Sequence, residues 1–219
     1  MLFLASQYLI IAQHYSYFYL RFHNSLLIDN LIENMATTNI LILIYFIAVA
    51  IFGVIETTLQ KKFNKQKSQR PDAGLLLILL PFYAVLYLPP LEYIFIKPVT
   101  SSICIIFGFL LFIIGFIIRV KGLLALKQNF SMAVECKDKN FLVTTGIYKY
   151  VRHPLYLAVI LIAASGCIIF SSIFCWLFFI IMLYGIHLRI EKEETFLLNE
   201  FQEYTDYCKR SKKLIPFLF

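Results

Sequence analysis

The sequence predicts an all-α fold: a polytopic membrane bundle of about five transmembrane helices, the last two paired as a tight hairpin. Three observations predict it. Of 219 residues, 60% are hydrophobic and only 15% are charged, whereas a soluble domain is nearer half apolar and a quarter charged. The apolar residues gather in runs close to the ~20 residues that cross a bilayer. The formal net charge of +7 sits in short basic runs flanking those segments. That is the pattern of membrane topology and lipid-headgroup contact, and it argues against a nucleic-acid partner.

Residues 1–36 are apolar and aromatic but interrupted by Gln7, Gln13 and His14. They lack the basic start and small-residue cleavage site of a signal peptide. An interfacial helix, a marginal span and an upstream extension, with Met35 as an alternative start, are all open readings. Three spans are expected within 37–118. The first is Ile40 to Thr57, stopped by Lys61, Lys62, Lys65, Lys67 and Arg70. The second is Leu75 to Leu91, with Pro81 expected to kink it and Pro89-Pro90 to end it, leaving Glu92 and Lys97 in a turn. The third is Val99 to Ile118, closing on Arg119 and Lys121.

Residues 119–153 are too polar to span. Leu155 to Phe170 and Ser172 to His187 then read as the hairpin, and Arg189 to Phe219 as a charged, amphipathic tail. Region 119–219 therefore carries any chemistry. The positive-inside rule puts the loop after the first span, the 119–153 loop and the tail on the cytoplasmic side. A pocket for a water-soluble cofactor is expected there, between loop 119–153 and the C-terminal helix. The five cysteines include no CxxC pair and the four histidines are scattered, so no metal site is expected.

Two clusters could carry chemistry. Arg152-His153-Pro154 precedes an apolar segment, and proline favours the first helical position. Arg152 and His153 then stand at a helix N-terminus, where free N–H groups and the dipole favour an anion, and Arg152 adds a fixed positive charge. Anchoring to headgroups is the plainer alternative. Arg189 and Glu193 are four apart and share a helical face. They form either a surface ion pair or a site that needs both signs of charge, as S-adenosylmethionine would. Tyr148, Tyr150 and Tyr156 could flank an adenine or lie in an aromatic belt, and Tyr204 and Tyr207 suit packing.

These residues, taken together, resemble the isoprenylcysteine carboxyl methyltransferase family. The stretches concerned are Asn129-Phe130-Ser131, Leu142 to Tyr148, Arg152 to Tyr156 and the hairpin. Arg189, Glu193-Glu194, Leu197, Phe201, Tyr204, Tyr207 and Leu214-Ile215-Pro216 follow in order. The match covers about residues 100–219, and the Glu-Glu tail makes it more specific than the RHPxY string alone. The resemblance implies an integral membrane, multi-pass enzyme that uses S-adenosylmethionine. It would methylate a lipophilic isoprenoid or lipid acceptor, a carboxylate in the family's best-known reaction. It further implies that Glu135, Asn140, Leu142, Val143, Tyr148, His153, Pro154, Leu155, Tyr156 and Glu193 line the cofactor pocket. Arg189 would face the acceptor as the catalytic residue. Three departures stand out: Ala158 where glycine is frequent, Asn140 where histidine is usual, and Gln202-Glu203-Tyr204 directly after Phe201, without the usual glycine.

Other readings predict different features. A phospholipid or other lipid N-methyltransferase must remove a proton, with Glu191 or Glu194 as candidate base. A membrane NADPH-dependent reductase shares an RHPxY-like string but has an arginine-, cysteine- and tryptophan-rich tail, and Trp176 is the only tryptophan here. A channel or transporter subunit should carry midplane ionisable residues or broken spans. Here Pro81 is the one break inside a span and Glu56 lies near a span end.

Overall fold

The computed structural model describes residues 36–63, 73–96, 100–127 and 142–214. Residues 1–35, Glu135 and Asn140 lie outside them. The chain divides into two compact units, Met1–Ala50 and Ile51–Phe219, and the site lies wholly in the second.

Six α-helices account for most of the described residues: α1 (Ala36–Phe63), α2 (Ala73–Ile96), α3 (Ser102–Leu126), α4 (Pro154–Ile169), α5 (Cys175–Glu200) and α6 (Tyr204–Arg210). Helices α1, α2 and α3 are long and apolar enough to cross a membrane. Helix α4 has 16 residues, about 24 Å at 1.5 Å per residue, and is apolar throughout. The 26 residues of α5 continue unbroken from the apolar Cys175 end through Arg189 to Glu200. The hairpin is thus present, with a short first limb and a second limb that carries its polar end beyond the apolar zone. The molecule is an integral membrane protein.

Apolar side chains are exposed where lipid would cover them, including Ile103, Ile106, Phe107 and Leu110 on α3. Burial concentrates on α4, where Ala158, Ile162, Ala163 and Ile169 have no exposure. Helix α3 packs along α4, and α2 along α5. Lipid supplies little hydrophobic drive between helices, so close packing through small residues must supply it. On α3, Gly108, Gly115 and Gly122 recur every seven residues against α4. A Cβ on Gly115 would lie 2.9 Å from Ile162 Cγ1 and 3.0 Å from the Ala158 carbonyl oxygen. The small side chain of Ala158 lies in this seam.

Pro89-Pro90 was expected to end the second span, yet α2 runs through Pro81, Pro89 and Pro90 to Ile96. Both terminal prolines are buried, and bilayer surroundings favour helix because nothing else satisfies the backbone. The turn beyond them is tied down by Glu92, which is therefore helical and not in a loop. Its carboxylate accepts from the Ser172 hydroxyl, from the Ile173 N–H at 2.6 Å, the Phe174 N–H at 3.1 Å and the Cys175 thiol at 3.3 Å. Those donors form the turn before α5, so one carboxylate fixes the end of α2 to the apex of the hairpin. Opposite, Thr100 donates to Ser171 Oγ at 3.0 Å.

Candidate active site

The polar end of the bundle is built around the start of α4. Gly146 turns the chain at φ +64°, a conformation glycine adopts without strain. A single 3-10 turn, Gly146–Lys149, follows. It buries Tyr148, whose carbonyl accepts from the Tyr207 hydroxyl at 2.6 Å. The chain then runs beside the tail. Lys212 N–H donates to Tyr150 O at 3.0 Å, Arg152 N–H to Lys212 O at 2.8 Å and His153 N–H to Lys213 O at 3.1 Å. This is the one isolated bridge pair among the described residues, Val151 with Lys212. Pro154 opens α4 as its first residue, with no side-chain cap. The first-turn N–H groups of Leu155 and Tyr156 consequently have no acceptor within the helix.

Glu193 and Glu194 are adjacent on α5, so their side chains diverge by about 100°. Each organises a separate network. Glu193 Oε1 accepts from the Tyr156 hydroxyl at 2.5 Å and from Arg189 Nε at 3.2 Å, and Arg189 Nε also donates to Tyr156 Oη at 2.9 Å. Arg189 is 4% exposed, whereas the Glu193 side chain keeps 23% exposure. The second Glu193 oxygen lies 3.8 Å from His153 Nδ1.

Glu194 binds Arg152 Nε at 3.0 Å, His153 Nε2 at 3.2 Å and Lys213 Nζ at 3.1 Å. Burial works to raise the pKa of Glu194. The hydrogen bonds from His153, Lys213 and Arg152, with the charge of Arg152, outweigh it and hold the carboxyl at about 2. His153 is buried between the two glutamates and faces both.

The expectation that Arg152 lends its charge to an anion at the helix N-terminus is corrected here. Its Nε donates to Glu194, and its Nη1 donates to the carbonyls of Ser211 at 2.6 Å and Cys208 at 3.2 Å. Arg152 fastens the tail to α5. Lys213 completes that fastening through Glu191 at 3.0 Å and Glu194.

Of the residues singled out from sequence, Tyr156, His153, Arg189 and Glu193 converge at one place. Pro154 and Leu155 form the first turn beneath them. Tyr148 is buried beside them, near enough for the charges of Arg119 and Glu193 to act on its hydroxyl; burial dominates and pushes its pKa up. Leu142 and Val143 are half-buried in the irregular stretch before the 3-10 turn. Glu135 and Asn140 fall outside the described residues. Sequence reasoning missed the roles of Lys213 and of a Glu56–Arg119 ion pair. The latter had a signal, since both are isolated charges at the same-side ends of the first and third spans.

Residues 106–199 match the model of the isoprenylcysteine carboxyl methyltransferase family. A protein-S-isoprenylcysteine O-methyltransferase of Saccharomyces cerevisiae is 27% identical over 189 residues, covering 80% of this chain and 79% of that one. A relative of the same name from Tribolium castaneum is 31% identical over 122 residues, 51% of this chain and 41% of its own length. The solved structure of a eukaryotic intramembrane Ras methyltransferase matches with a TM-score of 0.56 at 24% identity, covering 80% of this chain and 65% of that one. That likeness shows a shared fold. The chain thus spans about four fifths of the yeast relative but about two fifths of the beetle one. Tyr148, His153 to Tyr156, Arg189 and Glu193 all lie within residues 106–199, the segment of this chain that is similar to the isoprenylcysteine carboxyl methyltransferase family.

Proposed function

We propose that this protein transfers a methyl group from S-adenosylmethionine to the carboxylate of a lipophilic acceptor, an isoprenylated cysteine by analogy with its relatives. The observation that carries this reading is the Arg189–Tyr156–Glu193 constellation at the membrane-proximal start of α4. The donor has a cationic sulfonium, an ammonium and a carboxylate. The partly exposed Glu193 suits its cationic groups, and the uncapped first turn of α4 suits its carboxylate. Tyr148, Leu142, Val143, His153, Pro154, Leu155 and Tyr156 complete the pocket. Glu135 and Asn140 join it on family resemblance alone. When bound, the donor supplies an electrophilic methyl group.

The residues of the chain do the rest by positioning. An acceptor carboxylate is already ionised at neutral pH and needs no base. It needs alignment, which contributes on the order of 7–11 kcal/mol in the best intramolecular cases. Arg189 holds it through paired, charge-assisted hydrogen bonds, while Tyr156 and Glu193 steady the Nε edge of the guanidinium. The lipid tail enters between helices and the donor enters from water on the cytoplasmic side, where the basic loops gather.

Amine methylation would require a base with a pKa near working pH. Glu194, held at about 2 by three cationic or hydrogen-bonding neighbours, is unsuited to that. Glu191 is exposed and paired with Lys213. The carboxylate acceptor is favoured accordingly.

Calorimetric titration of detergent-purified protein with S-adenosylhomocysteine tests the reading. Micromolar binding, lost in His153→Ala and Glu193→Ala, is expected. A folded protein that binds NADPH and not S-adenosylhomocysteine would refute it.

A further inference from the structure

Three charged and polar groups meet at one point outside the pocket. Glu56, late in α1, receives Arg119 Nε at 3.0 and 3.1 Å on its two oxygens and Arg119 Nη2 at 2.5 Å. Gln60 Nε2 adds a 2.6 Å bond to the same carboxylate. The side chains of Arg119 and Glu56 are only 14% and 13% exposed. The remaining arm of the guanidinium, Nη1, donates to the carbonyl of Leu155 at 3.3 Å.

Leu155 is the second residue of α4, between Pro154 and Tyr156. Its side chain lies where a Cβ on Gly122 would meet its Cδ2 at 2.6 Å. The arginine therefore grips the turn whose backbone N–H groups and flanking His153 and Tyr156 form the cofactor site. It also lies close enough to Tyr148 for its charge to counter part of the effect of burial there.

The ion pair is not the only contact between α1 and α3 among the described residues. Phe52 already packs edge-on against Phe112 and Phe116, with ring centroids 6.3 and 6.1 Å apart. What the ion pair adds is direction. A carboxylate that engages two nitrogens along one edge of a guanidinium fixes the plane of that guanidinium, and so fixes where the third nitrogen points. Lysine can match the charge but not the fork.

We propose that Glu56 and Arg119 act as a positioning pair, setting the first turn of α4 in register for cofactor binding. The inference rests on the methyltransferase reading above. Neither residue touches the cofactor; Arg119 acts through Leu155, and Glu56 acts through Arg119.

The test is S-adenosylhomocysteine affinity and thermal midpoint for the whole protein and for Glu56→Gln, Arg119→Lys, Arg119→Gln and the Glu56→Gln/Arg119→Gln pair. Arg119→Gln is expected to weaken binding roughly tenfold, about 1.4 kcal/mol, and Arg119→Lys by an intermediate factor. Glu56→Gln alone is expected to weaken it several-fold, and to add nothing in the Arg119→Gln background, because both act along one line. If Arg119→Gln does not fold, Arg119→Lys and Glu56→Gln decide the matter. Lower midpoints with affinities within twofold of the parent in every variant would overturn the inference, leaving the pair as a brace for the fold alone. Independent, additive losses would overturn it too. A folded parent protein that does not bind the ligand overturns the methyltransferase reading itself, and this inference with it.

Discussion

Arg189 Nε donates to the hydroxyl of Tyr156 at 2.9 Å, and both groups bond the same oxygen of Glu193. This three-way contact joins α4 to α5 and puts the proposed acceptor clamp and the proposed cofactor carboxylate in one network. Arg189→Ala should cut kcat/KM by at least a hundredfold, about 2.7 kcal/mol of transition-state stabilisation at ~1.36 kcal/mol per tenfold. S-adenosylhomocysteine affinity should change far less, which calorimetry on the same preparation would read. Near-normal turnover in that variant would remove Arg189 from the reaction.

Glu194 gives a pH signature. Its carboxyl is held at about 2, against an ordinary value of 4.5. A carboxyl depressed in the folded state stabilises above its ordinary value, and that contribution is lost as pH falls through 4.5 towards 2. The thermal midpoint should therefore drop over that window, and Glu194→Gln should flatten the drop. Its side chain lies at a partly wetted surface, so solvent screening limits the size of the effect. A profile in Glu194→Gln identical to the parent would show that another group governs acid sensitivity.

Gly115 meets α4 too closely to accept a side chain. In Gly115→Val, the new Cβ would stand 3.0 Å from the Ala158 carbonyl oxygen, which is backbone and cannot swing away. Overpacking of this kind costs about 1–3 kcal/mol. The variant should unfold earlier in a detergent melt, whereas Gly53→Ala, with open space around it, should not.

At the other end of the bundle, Glu92→Ala would strip an acceptor from two backbone N–H groups, a hydroxyl and a thiol. A buried donor left unpaired costs about 1–3 kcal/mol. The expected result is a lower melting point with cofactor affinity unchanged, since the hairpin apex is remote in the chain from the start of α4. A loss of affinity at unchanged stability would contradict the structural role assigned to Glu92.

Much of this architecture was legible because its signals are local. Long apolar runs mark α1, α2 and α3, and Pro154 marks the start of α4. The i,i+4 spacing of Arg189 and Glu193 by itself places both on one helical face. What was not legible depends on partners distant in the chain. Arg152 reads as an anion-binding charge until Glu194 and the carbonyls of the tail are seen to take it. Pro89-Pro90 reads as a stop until the anchoring of Glu92 and the demands of the bilayer outweigh local propensity. The Glu56–Arg119 pair spans two helices, so the two charges at the span ends are legible in the sequence but their bonding geometry is not.

Methyl transfer to a carboxylate is the central claim, and the chemistry of the product tests it most directly. The purified protein would be incubated with methyl-labelled S-adenosylmethionine and an S-prenylated N-acetylcysteine, and the product treated with alkali. The account predicts label in the lipophilic product that alkali releases as methanol, and loss of that label in Arg189→Ala. Label that resists alkali would place the methyl elsewhere than on the carboxylate, and a folded protein that transfers no label to this acceptor would contradict the proposed reaction.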